Sequence, residues 1–251
     1  MKISIITVSY NSEKTIEDTI KSVFNQQFVD LEYIIIDGGS KDNTMEIVNK
    51  YKDKITKVIS ESDRGIYDAM NKGIKSAKGD VIGILNSDDF YYNEEVLSKV
   101  INEFELDNFD AVYGDIIYVD NFDIKKQVRY WKAGEYKENK LNFGWIMPHP
   151  AFFVKKKVYN DFGLFNLDFK IAADYELMLR FLKNNLQIKY LNKTLVCMRE
   201  GGYSAKNIKQ RISGWKELYQ AWRVNNLKPP RWLFLTRPLF KIHQYWLKNK
   251  E

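Results

Sequence analysis

Short apolar runs alternate with amphipathic segments along residues 1–90 of the chain. The apolar runs predict buried strands at residues 2–9, 31–37, 55–60 and 80–85. Between them, apolar residues recur three and four positions apart, which predicts helices at residues 13–27, 41–51 and 66–77. Strands separated by helices form parallel sheets with right-handed crossovers, so we predict an α/β domain with a mostly parallel sheet and flanking helices.

The pattern is less regular beyond residue 90. It predicts strands at residues 111–119, 125–131, 186–191 and 194–198, an apolar stretch at 146–154 and a helix at 172–182. From residue 205 the pattern is mostly helical, interrupted at Pro229-Pro230 and again near Pro238. We therefore separate a domain of residues 1–204 from a helical tail of residues 205–251.

A polar loop follows each of the first four predicted strands. The loops are Ser9-Tyr10-Asn11, Asp37-Gly38-Gly39-Ser40, Glu61-Ser62-Asp63-Arg64-Gly65 and Asn86-Ser87-Asp88-Asp89. Ligands of open α/β sheets bind beyond the carboxyl ends of the strands. We therefore expect the four loops to converge on one rim that forms the functional site.

Asp88 and Asp89 directly follow the fourth predicted strand. Adjacent carboxylates repel each other, and a cation beside them relieves the repulsion. Hard oxygen ligands suit Mn²⁺ or Mg²⁺, which bridge substrate phosphates. Taken alone, the pair is equally consistent with a turn that caps the following helix, and its position at a strand end favours the metal site.

The loops after the second and third strands carry further candidates. Gly38 and Gly39 permit a close backbone approach, and Asp37 beside them has acceptor oxygens for the N–H groups of a nucleobase. Asp63 and Arg64 begin the next polar segment, where an arginine near a diphosphate would make charge-assisted hydrogen bonds. A plain turn leading into a helix is the alternative for the first of these loops, and a surface pair of Asp68 and Lys72 is the alternative for the second segment.

Asp174 opens the predicted helix at 172–182, on the face that carries its apolar residues. The helix dipole stabilises an anion there, which suits a base that takes a hydroxyl proton, although a simple helix cap is the alternative. We interpret Glu176 and Arg180, one turn apart, as a solvated ion pair. A lone histidine in an apolar segment, as at His149, is more often structural than catalytic.

Taken together and in order, these segments resemble glycosyltransferase family 2. They are Ile-Ile-Thr-Val-Ser-Tyr-Asn, Asp-Gly-Gly-Ser-x-Asp-x-Thr, Asp-Arg-Gly-Ile-Tyr-Asp-Ala-Met-Asn-Lys-Gly, Asn-Ser-Asp-Asp and Ala-Ala-Asp-Tyr-Glu. The resemblance covers roughly residues 1–200 and depends on the combination of motifs. It implies a GT-A fold and an inverting sugar transfer of the kind that builds bacterial polysaccharides. Residues 1–90 then form the nucleotide-binding half, and residues 91–204 form the acceptor-binding half.

The resemblance also implies a role for each matching residue. It implies Mn²⁺ or Mg²⁺ at Asp89 and Asp174 as the general base, whereas the glutamate that precedes this base in the family is Ala173 here. The residues implied at the nucleotide sugar are Thr7, Ser9, Asn11, Asp37, Asp63, Arg64, Asn71 and Asp88. The residues implied on the acceptor or diphosphate side are Trp145, His149 and Tyr203. Packing in the core is the alternative for Trp145. The expected partners are a nucleotide sugar, with a UDP-sugar favoured, and a glycan or lipid-linked saccharide.

The net charge of +6 is unevenly distributed. From Lys206 onward there are 11 lysines and arginines against two acids, so the rest of the chain carries −3. In the tail, one helical stripe carries Leu235, Leu239, Ile242 and Trp246, and the opposite side carries Arg237, Lys241 and Lys248. This pattern is typical of a helix on a membrane surface, and a helix packed on the domain explains it equally well. We expect a cytoplasmic protein, peripheral at the inner face of the plasma membrane.

Rival functions fit the sequence less well. A sugar nucleotidyltransferase would carry a glycine-rich loop with a basic residue after the first strand, where this chain has Ser9-Tyr10-Asn11-Ser12. A nonenzymatic nucleic-acid binder would explain the basic tail, but acidic strand ends repel phosphates, so we expect no nucleic-acid partner. The single cysteine, Cys197, excludes an internal disulfide and fits a reducing compartment.

Overall fold

The computed structural model describes residues 1–201, 208–233, Thr236 and Gln244. Within these residues a nine-stranded sheet forms the centre of the protein. Its strands are β1 (Lys2–Ser9), β2 (Asp30–Asp37), β3 (Lys57–Ser60), β4 (Val81–Ile84), β5 (Phe90–Tyr91), β6 (Ala111–Val119), β7 (Gln127–Trp131), β8 (Phe152–Lys155) and β9 (Ile188–Arg199). The strand order is β3-β2-β1-β4-β8-β6-β9-β5, and β7 pairs with β6. The predicted α/β class is confirmed.

Eight helices cover this sheet within the described residues. They are α1 (Ile16–Phe24), α2 (Thr44–Asn49), α3 (Ile66–Ser76), α4 (Val96–Leu106), α5 (Glu138–Leu141), α6 (Lys156–Phe162), α7 (Ala173–Leu182) and α8 (Ile208–Val224), with a short 3-10 turn at His149–Ala151. The first two helices begin later than their periodicity predicts, because the residues before them are engaged in loop-to-loop hydrogen bonds. The two strands predicted at 186–191 and 194–198 are one continuous strand, β9.

The sheet is mixed, with both parallel and antiparallel strand pairs. The pairs β1–β2, β1–β4 and β2–β3 are parallel, as the strand–helix alternation predicts. The strand β8 is antiparallel to both β4 and β6, while β9 is parallel to β6. Because two reversals restore the original direction, β6 and β9 end at the same edge as the first four strands. Arg199, the last residue of β9, therefore reaches the loop that follows β4.

Apolar side chains cover both faces of the sheet. Alternate residues of β1 point to opposite faces, so that Ile6 packs with α3, α7 and α8, whereas Ile5 packs with α1, α2 and α4. In α1, Ile16, Ile20 and Val23 lie on one helical face and are fully buried. The result is a three-layer arrangement of helices on both sides of one sheet.

The first part of the tail belongs to the body of the domain. Leu218, Ala221 and Trp222 of α8 join the core cluster that contains α7. Trp222 Nε1 donates to Tyr175 Oη at 3.0 Å, and Asn225 Nδ2 donates to Glu176 Oε1 at 3.1 Å. The boundary predicted at residue 205 therefore does not separate two packing units at α8. The stripe of Leu235, Leu239, Ile242 and Trp246 lies outside the described residues.

Glu176 and Arg180 form a buried pair instead of the solvated pair predicted from their spacing. The Glu176 side chain is 4% exposed, and Arg180 Nη2 donates to its Oε2 at 2.8 Å. The guanidinium also donates to the carbonyls of Phe162 and Leu164, at 2.5 and 2.7 Å. The spacing predicts the pairing but not its burial, which arises because α6 and α8 pack on either side of α7.

The described residues contain no helix that is both long enough and apolar enough to cross a bilayer.

A buried carboxylate connects two strands at the opposite edge of the sheet. Glu32 Oε2 accepts hydrogen bonds from Ser4 Oγ at 2.5 Å, from Lys78 N at 2.6 Å and from Gly79 N at 3.3 Å. Burial by itself raises the pKa of Glu32, but these hydrogen bonds outweigh it and hold the pKa below its ordinary value.

We predict that Glu32→Gln lowers the free energy of unfolding by about 1–3 kcal/mol near neutral pH, because an amide replaces the charged acceptor. A carboxylate whose pKa is lowered on folding stabilises the fold above its unfolded pKa and loses that contribution as the pH falls through its folded pKa. The difference from wild type should therefore shrink below about pH 4. Urea unfolding near neutral pH and below about pH 4 measures this difference, and Glu46→Gln, at an exposed residue, is the control. A difference that stays constant with pH would exclude the ionised carboxylate as its source.

Candidate active site

Hydrogen bonds connect the loops that follow β1 and β2. Asn11 N donates to Ser40 Oγ, and Lys41 N donates to Asn11 Oδ1, both at 2.8 Å. One residue later, Ser12 N donates to Thr44 Oγ1 at 2.7 Å. Asn11 adopts a positive φ of 50°, which asparagine tolerates better than most residues. Asn11 therefore turns the chain and joins two of the loops that were expected to converge.

Asp37 joins three of the strand ends. It is fully buried at the end of β2 and accepts hydrogen bonds from the hydroxyls of Ser9, Ser40 and Ser60 and from the amides of Gly39 and Ser40. Burial by itself raises the pKa of Asp37, but these hydrogen bonds outweigh it and keep the pKa below its ordinary value. Both oxygens are engaged, so a contact with a nucleobase would have to replace one of these bonds. The base-recognition role of Asp37 stays a prediction.

Asp63 lies against the loop that follows β2. A side-chain carbon added at Gly38 would lie 2.5 Å from Asp63 Oδ2, so glycine is required for this close approach. Asp63 Oδ1 accepts from Gly65 N at 2.8 Å, at the start of α3. The side chain of Arg64, in contrast, is 73% exposed and pairs with Asp68 at 3.5 Å. Asp63 therefore belongs to the converging loops, and the diphosphate role of Arg64 stays a prediction.

The structure gives Thr7 and Asn71 interior roles. Thr7 is fully buried, and its Oγ1 accepts from Tyr33 Oη at 3.1 Å. Asn71 Nδ2 donates to Phe165 O and its Oδ1 accepts from Phe165 N, both at 2.9 Å. These side-chain atoms are therefore used in hydrogen bonds inside the protein. The nucleotide contacts expected of Thr7 and Asn71 stay predictions.

Asp88 and Asp89 form an acidic pair in the loop after β4. Asp89 is 1% exposed and its Oδ2 accepts from Asn86 Nδ2 at 3.0 Å, whereas Asp88 is half-buried. Burial raises the pKa of Asp88, and burial together with the charge of Asp88 raises the pKa of Asp89 well above its ordinary value. Two ionised carboxylates here would repel each other without a nearby cation.

Arg199 and Ser12 hold this loop in place. Arg199 Nη1 donates to the carbonyl of Asp88 at 2.8 Å, and its Nη2 donates to Asp18 Oδ2 at 2.5 Å. Ser12 Oγ lies 2.8 Å from Ser87 Oγ, which connects the loop after β1 to the loop after β4. The four strand-end loops therefore lie together at one edge, as their positions in the sequence predict. Arg199 was not among the predicted site residues, because only the direction of β9 within the sheet brings it to the loop after β4.

The acidic pair has the chemistry of a divalent-cation site. Asn86 Oδ1 is buried beside it and has no hydrogen-bond partner among the described residues, so it adds a third hard oxygen. Those residues contain no group of three or more His, Cys, Asp or Glu side chains suited to a metal. Mg²⁺ and Mn²⁺ need no such group, because waters and substrate phosphates complete their coordination. The residues present therefore fit the predicted Mn²⁺ or Mg²⁺.

Asp174 lies in the first turn of α7 and contacts α3, the helix that follows Asp63. Tyr67 Oη on α3 lies 2.8 Å from the carbonyl of Ile171 and 3.2 Å from Asp174 Oδ1. Burial raises the pKa of Tyr67 well above its ordinary value, so the phenol keeps its proton and acts as a donor. Sequence analysis missed Tyr67, although it lies within the Asp63-to-Gly73 segment.

His149 lies near Asp174 and Phe165. Burial lowers its pKa, and the negative charge of Asp174 opposes that shift, so the two side chains are electrostatic neighbours. The His149 ring lies edge-on to Phe165, with the ring centroids 5.6 Å apart. The structure therefore brings His149 and Asp174 together.

Trp145 belongs to the core. Its Nε1 donates to the carbonyl of Ala133 at 2.8 Å, and its ring stacks on Tyr136 with the centroids 5.9 Å apart. It is buried, so of the two roles considered for it the core role fits the structure. Tyr203 lies outside the described residues.

Known proteins resemble this chain over most of its length. The family model for Glycosyl transferase family 2 matches residues 4–162. A PGL/p-HBAD biosynthesis glycosyltransferase of Mycobacterium tuberculosis is 28% identical over 206 residues, which cover 79% of this chain and 77% of that protein. An uncharacterized glycosyltransferase of the same species is 31% identical over 194 residues, which cover 71% of this chain and 68% of that protein.

Solved structures share the fold. Staphylococcus aureus TarS 1–349 in complex with UDP-GlcNAc superposes with a TM-score of 0.69 at 22% identity, over 90% of this chain and 65% of that one. The mannosyltransferase PcManGT from Pyrobaculum calidifontis, in complex with GDP-Man and Mn²⁺, gives a TM-score of 0.67 at 18% identity, over 95% of this chain and 71% of that one. These likenesses confirm the predicted GT-A fold.

The family match ends before Asp174, but it includes all four strand-end loops that the structure gathers at one edge of the sheet. This chain therefore belongs to glycosyltransferase family 2 and is a glycosyltransferase.

Proposed function

We propose that the protein is an inverting, metal-dependent glycosyltransferase that acts in surface polysaccharide synthesis. It moves a sugar from a nucleotide-diphosphate sugar to a hydroxyl of a glycan or a lipid-linked saccharide. The observation that carries the proposal is the separation of two kinds of carboxylate. An adjacent pair, the half-buried Asp88 and the buried Asp89, follows β4, and a single half-buried carboxylate, Asp174, lies in the first turn of α7.

The donor side is proposed at the converging strand-end loops. TarS has been solved with UDP-GlcNAc, and PcManGT with GDP-Man and Mn²⁺, which supports a nucleotide-sugar donor and a divalent cation for this fold. We favour a UDP-sugar. Ser9, Asn11 and Asp63 belong to these loops and are the residues we expect near the nucleotide.

Asp89 is the proposed direct ligand of Mn²⁺ or Mg²⁺, and Asp88 is the proposed contact of the nucleotide sugar. When bound, such a cation would offset the negative charge that develops on the departing diphosphate. Arg199, which donates to the carbonyl of Asp88, keeps the loop in place from its other side.

Asp174 is the proposed base. Its carboxylate takes the proton of the acceptor hydroxyl as the hydroxyl oxygen forms a bond to the anomeric carbon. The bond from that carbon to the diphosphate oxygen breaks on the opposite face, so the configuration inverts. Tyr67 engages Asp174 Oδ1 and so limits the rotation of the carboxylate. His149, next to Asp174, is the proposed side chain on the acceptor side.

We further propose a cytoplasmic location at the inner face of the plasma membrane. Lys228, Arg231 and Trp232 are exposed, and the Trp232 side chain is the most apolar of the three. Exposed basic and aromatic side chains favour an anionic lipid surface.

A thermal-shift screen tests the donor. UDP-, GDP- and dTDP-sugars are each added with Mn²⁺, and we expect a UDP-sugar to raise the melting temperature most, because ligand that binds only the folded state stabilises it. The same sugars with a chelator are the control. A screen in which no nucleotide sugar raises the melting temperature would contradict the donor proposal.

The metal site is tested by Asp89→Ala. We expect transfer to fall by about 100-fold or more and the stimulation of nucleotide-sugar binding by Mn²⁺ to disappear. Binding is measured by calorimetry with and without Mn²⁺, and Asp53→Ala, on an exposed residue, is the control. Full wild-type activity in the presence of a chelator would refute metal dependence.

The base is tested by Asp174→Asn. We expect the donor Kd to stay unchanged while kcat falls by about 100-fold to 10,000-fold, because the amide cannot accept the proton. The matched control is the same substitution at the exposed Asp168. If Asp174→Asn weakens donor binding and leaves kcat intact, Asp174 is not the base.

A further inference from the structure

A carboxylate from α8 holds the backbone that leads into α7. Glu217 is buried, and its oxygens accept from Lys170 N at 3.1 and 3.2 Å, from Ile171 N at 2.8 Å and from Ala172 N at 2.8 Å. Bonds from amides to a charged acceptor are stronger than bonds between neutral groups. An anion at this end of α7 is also favoured by the helix dipole.

The first turn of α7 has no side-chain cap of its own, and the segment before it is held from outside by Glu217. The residue at the cap position is Ala172, whose side chain has no oxygen to accept a backbone N–H. Glu217 is one of only two acids from Lys206 to the end of the sequence, among 11 lysines and arginines. A side chain 45 positions away from Ala172 in the chain therefore accepts the N–H groups of the segment immediately before the helix.

The segment that Glu217 holds is also the segment that orients Asp174. The amide of Ile171 donates to Glu217, and the carbonyl of Ile171 lies 2.8 Å from Tyr67 Oη. The same Tyr67 Oη lies 3.2 Å from Asp174 Oδ1. A shift of residues 170–172 would therefore move the start of α7 and the hydroxyl group that contacts the carboxylate.

α8 does not need Glu217 in order to dock. Trp222 donates to Tyr175 Oη, Asn225 donates to Glu176, and Leu218 and Ala221 are packed in the core. These contacts reach Tyr175 and Glu176 and do not involve residues 170–172, which Glu217 holds. A variant at residue 217 should therefore keep α8 in place and release the segment that leads into α7.

We propose that Glu217 is a positioning residue for the reaction: it fixes residues 170–172 and thereby holds Asp174 where it meets the acceptor hydroxyl. This inference rests on the proposed role of Asp174 as the base. It makes α8, which lies outside the family match to residues 4–162, part of the catalytic apparatus.

Turnover is the first test, measured as nucleoside diphosphate release from UDP-GlcNAc and, in parallel, from GDP-mannose, with Mn²⁺. We expect Glu217→Leu to lower kcat by about 10-fold to 100-fold with an unchanged donor KM, since small displacements of a catalytic group carry such costs. Glu217→Gln keeps one carbonyl acceptor, so its kcat should lie between those of Glu217→Leu and wild type. Asn225→Ala removes the hydrogen bonds from Asn225 Nδ2 to Glu176 and should lower the melting temperature while kcat stays at the wild-type value.

The second test needs no substrate. His149 is one of two histidines in the chain, and its pKa responds to the charge of Asp174. Removing that charge in Asp174→Asn should lower the pKa of His149, measured by NMR titration of the imidazole. In Glu217→Leu the pKa should move part of the way in the same direction, because Asp174 is no longer held in place. Asn225→Ala should leave the titration unchanged.

The outcomes separate the two proposals. If Asp174→Asn retains turnover, the proposed function is wrong, whatever residue 217 does. If Asp174→Asn alters turnover and the His149 titration while a folded Glu217→Leu alters neither, only the role of Glu217 is refuted. If Asn225→Ala lowers kcat as much as Glu217→Leu, Glu217 acts through general helix docking, and the positioning role is also refuted.

Discussion

The buried carboxylate of Asp37 is the interaction on which the arrangement of the site depends. It accepts hydrogen bonds from side chains or amides of three successive strand ends, from Ser9 to Ser60. Burying this carboxylate without hydrogen-bond donors would raise the free energy of the folded state, so the fold requires the three loops to lie close around it. Ser12 then extends the network to the loop after β4 through Ser87. The four strand-end loops are therefore held together by buried hydrogen bonds.

The acidic pair and Asp174 have different surroundings. Asp89 is buried, Asp88 beside it is half-buried, and burial raises the pKa of both, so the pair favours a cation beside it. Asp174 stands apart in the first turn of α7, where Tyr67 Oη lies 3.2 Å from its Oδ1. α3 connects the two places, because its start lies beside Asp63 and its first turn carries Tyr67, which contacts Asp174.

Strand direction explains how distant parts of the chain reach this site. The antiparallel strand β8 lies between β4 and β6, and it allows β6 and β9 to end at the edge where the first four strands end. Arg199 is carried to the carbonyl of Asp88 in this way. α8 packs on the outside of α7 and supplies Glu217 to its first turn. α7 and α8, at the beginning of the basic tail, are consequently packed in one core.

The sequence by itself determined the α/β class, the first four strands and the polar loops at their ends, because these follow from periodicity and from residue type. It also made Asp88, Asp89 and Asp174 candidates through their positions at the end of a strand and the start of a helix, and their roles stay predictions. Only the tertiary structure decided that Thr7, Asn71 and Trp145 point inward, since burial depends on which face another element covers. Tyr67, Arg199 and Glu217 likewise gained their roles from contacts between segments that lie far apart in the chain, which no local pattern of residues encodes.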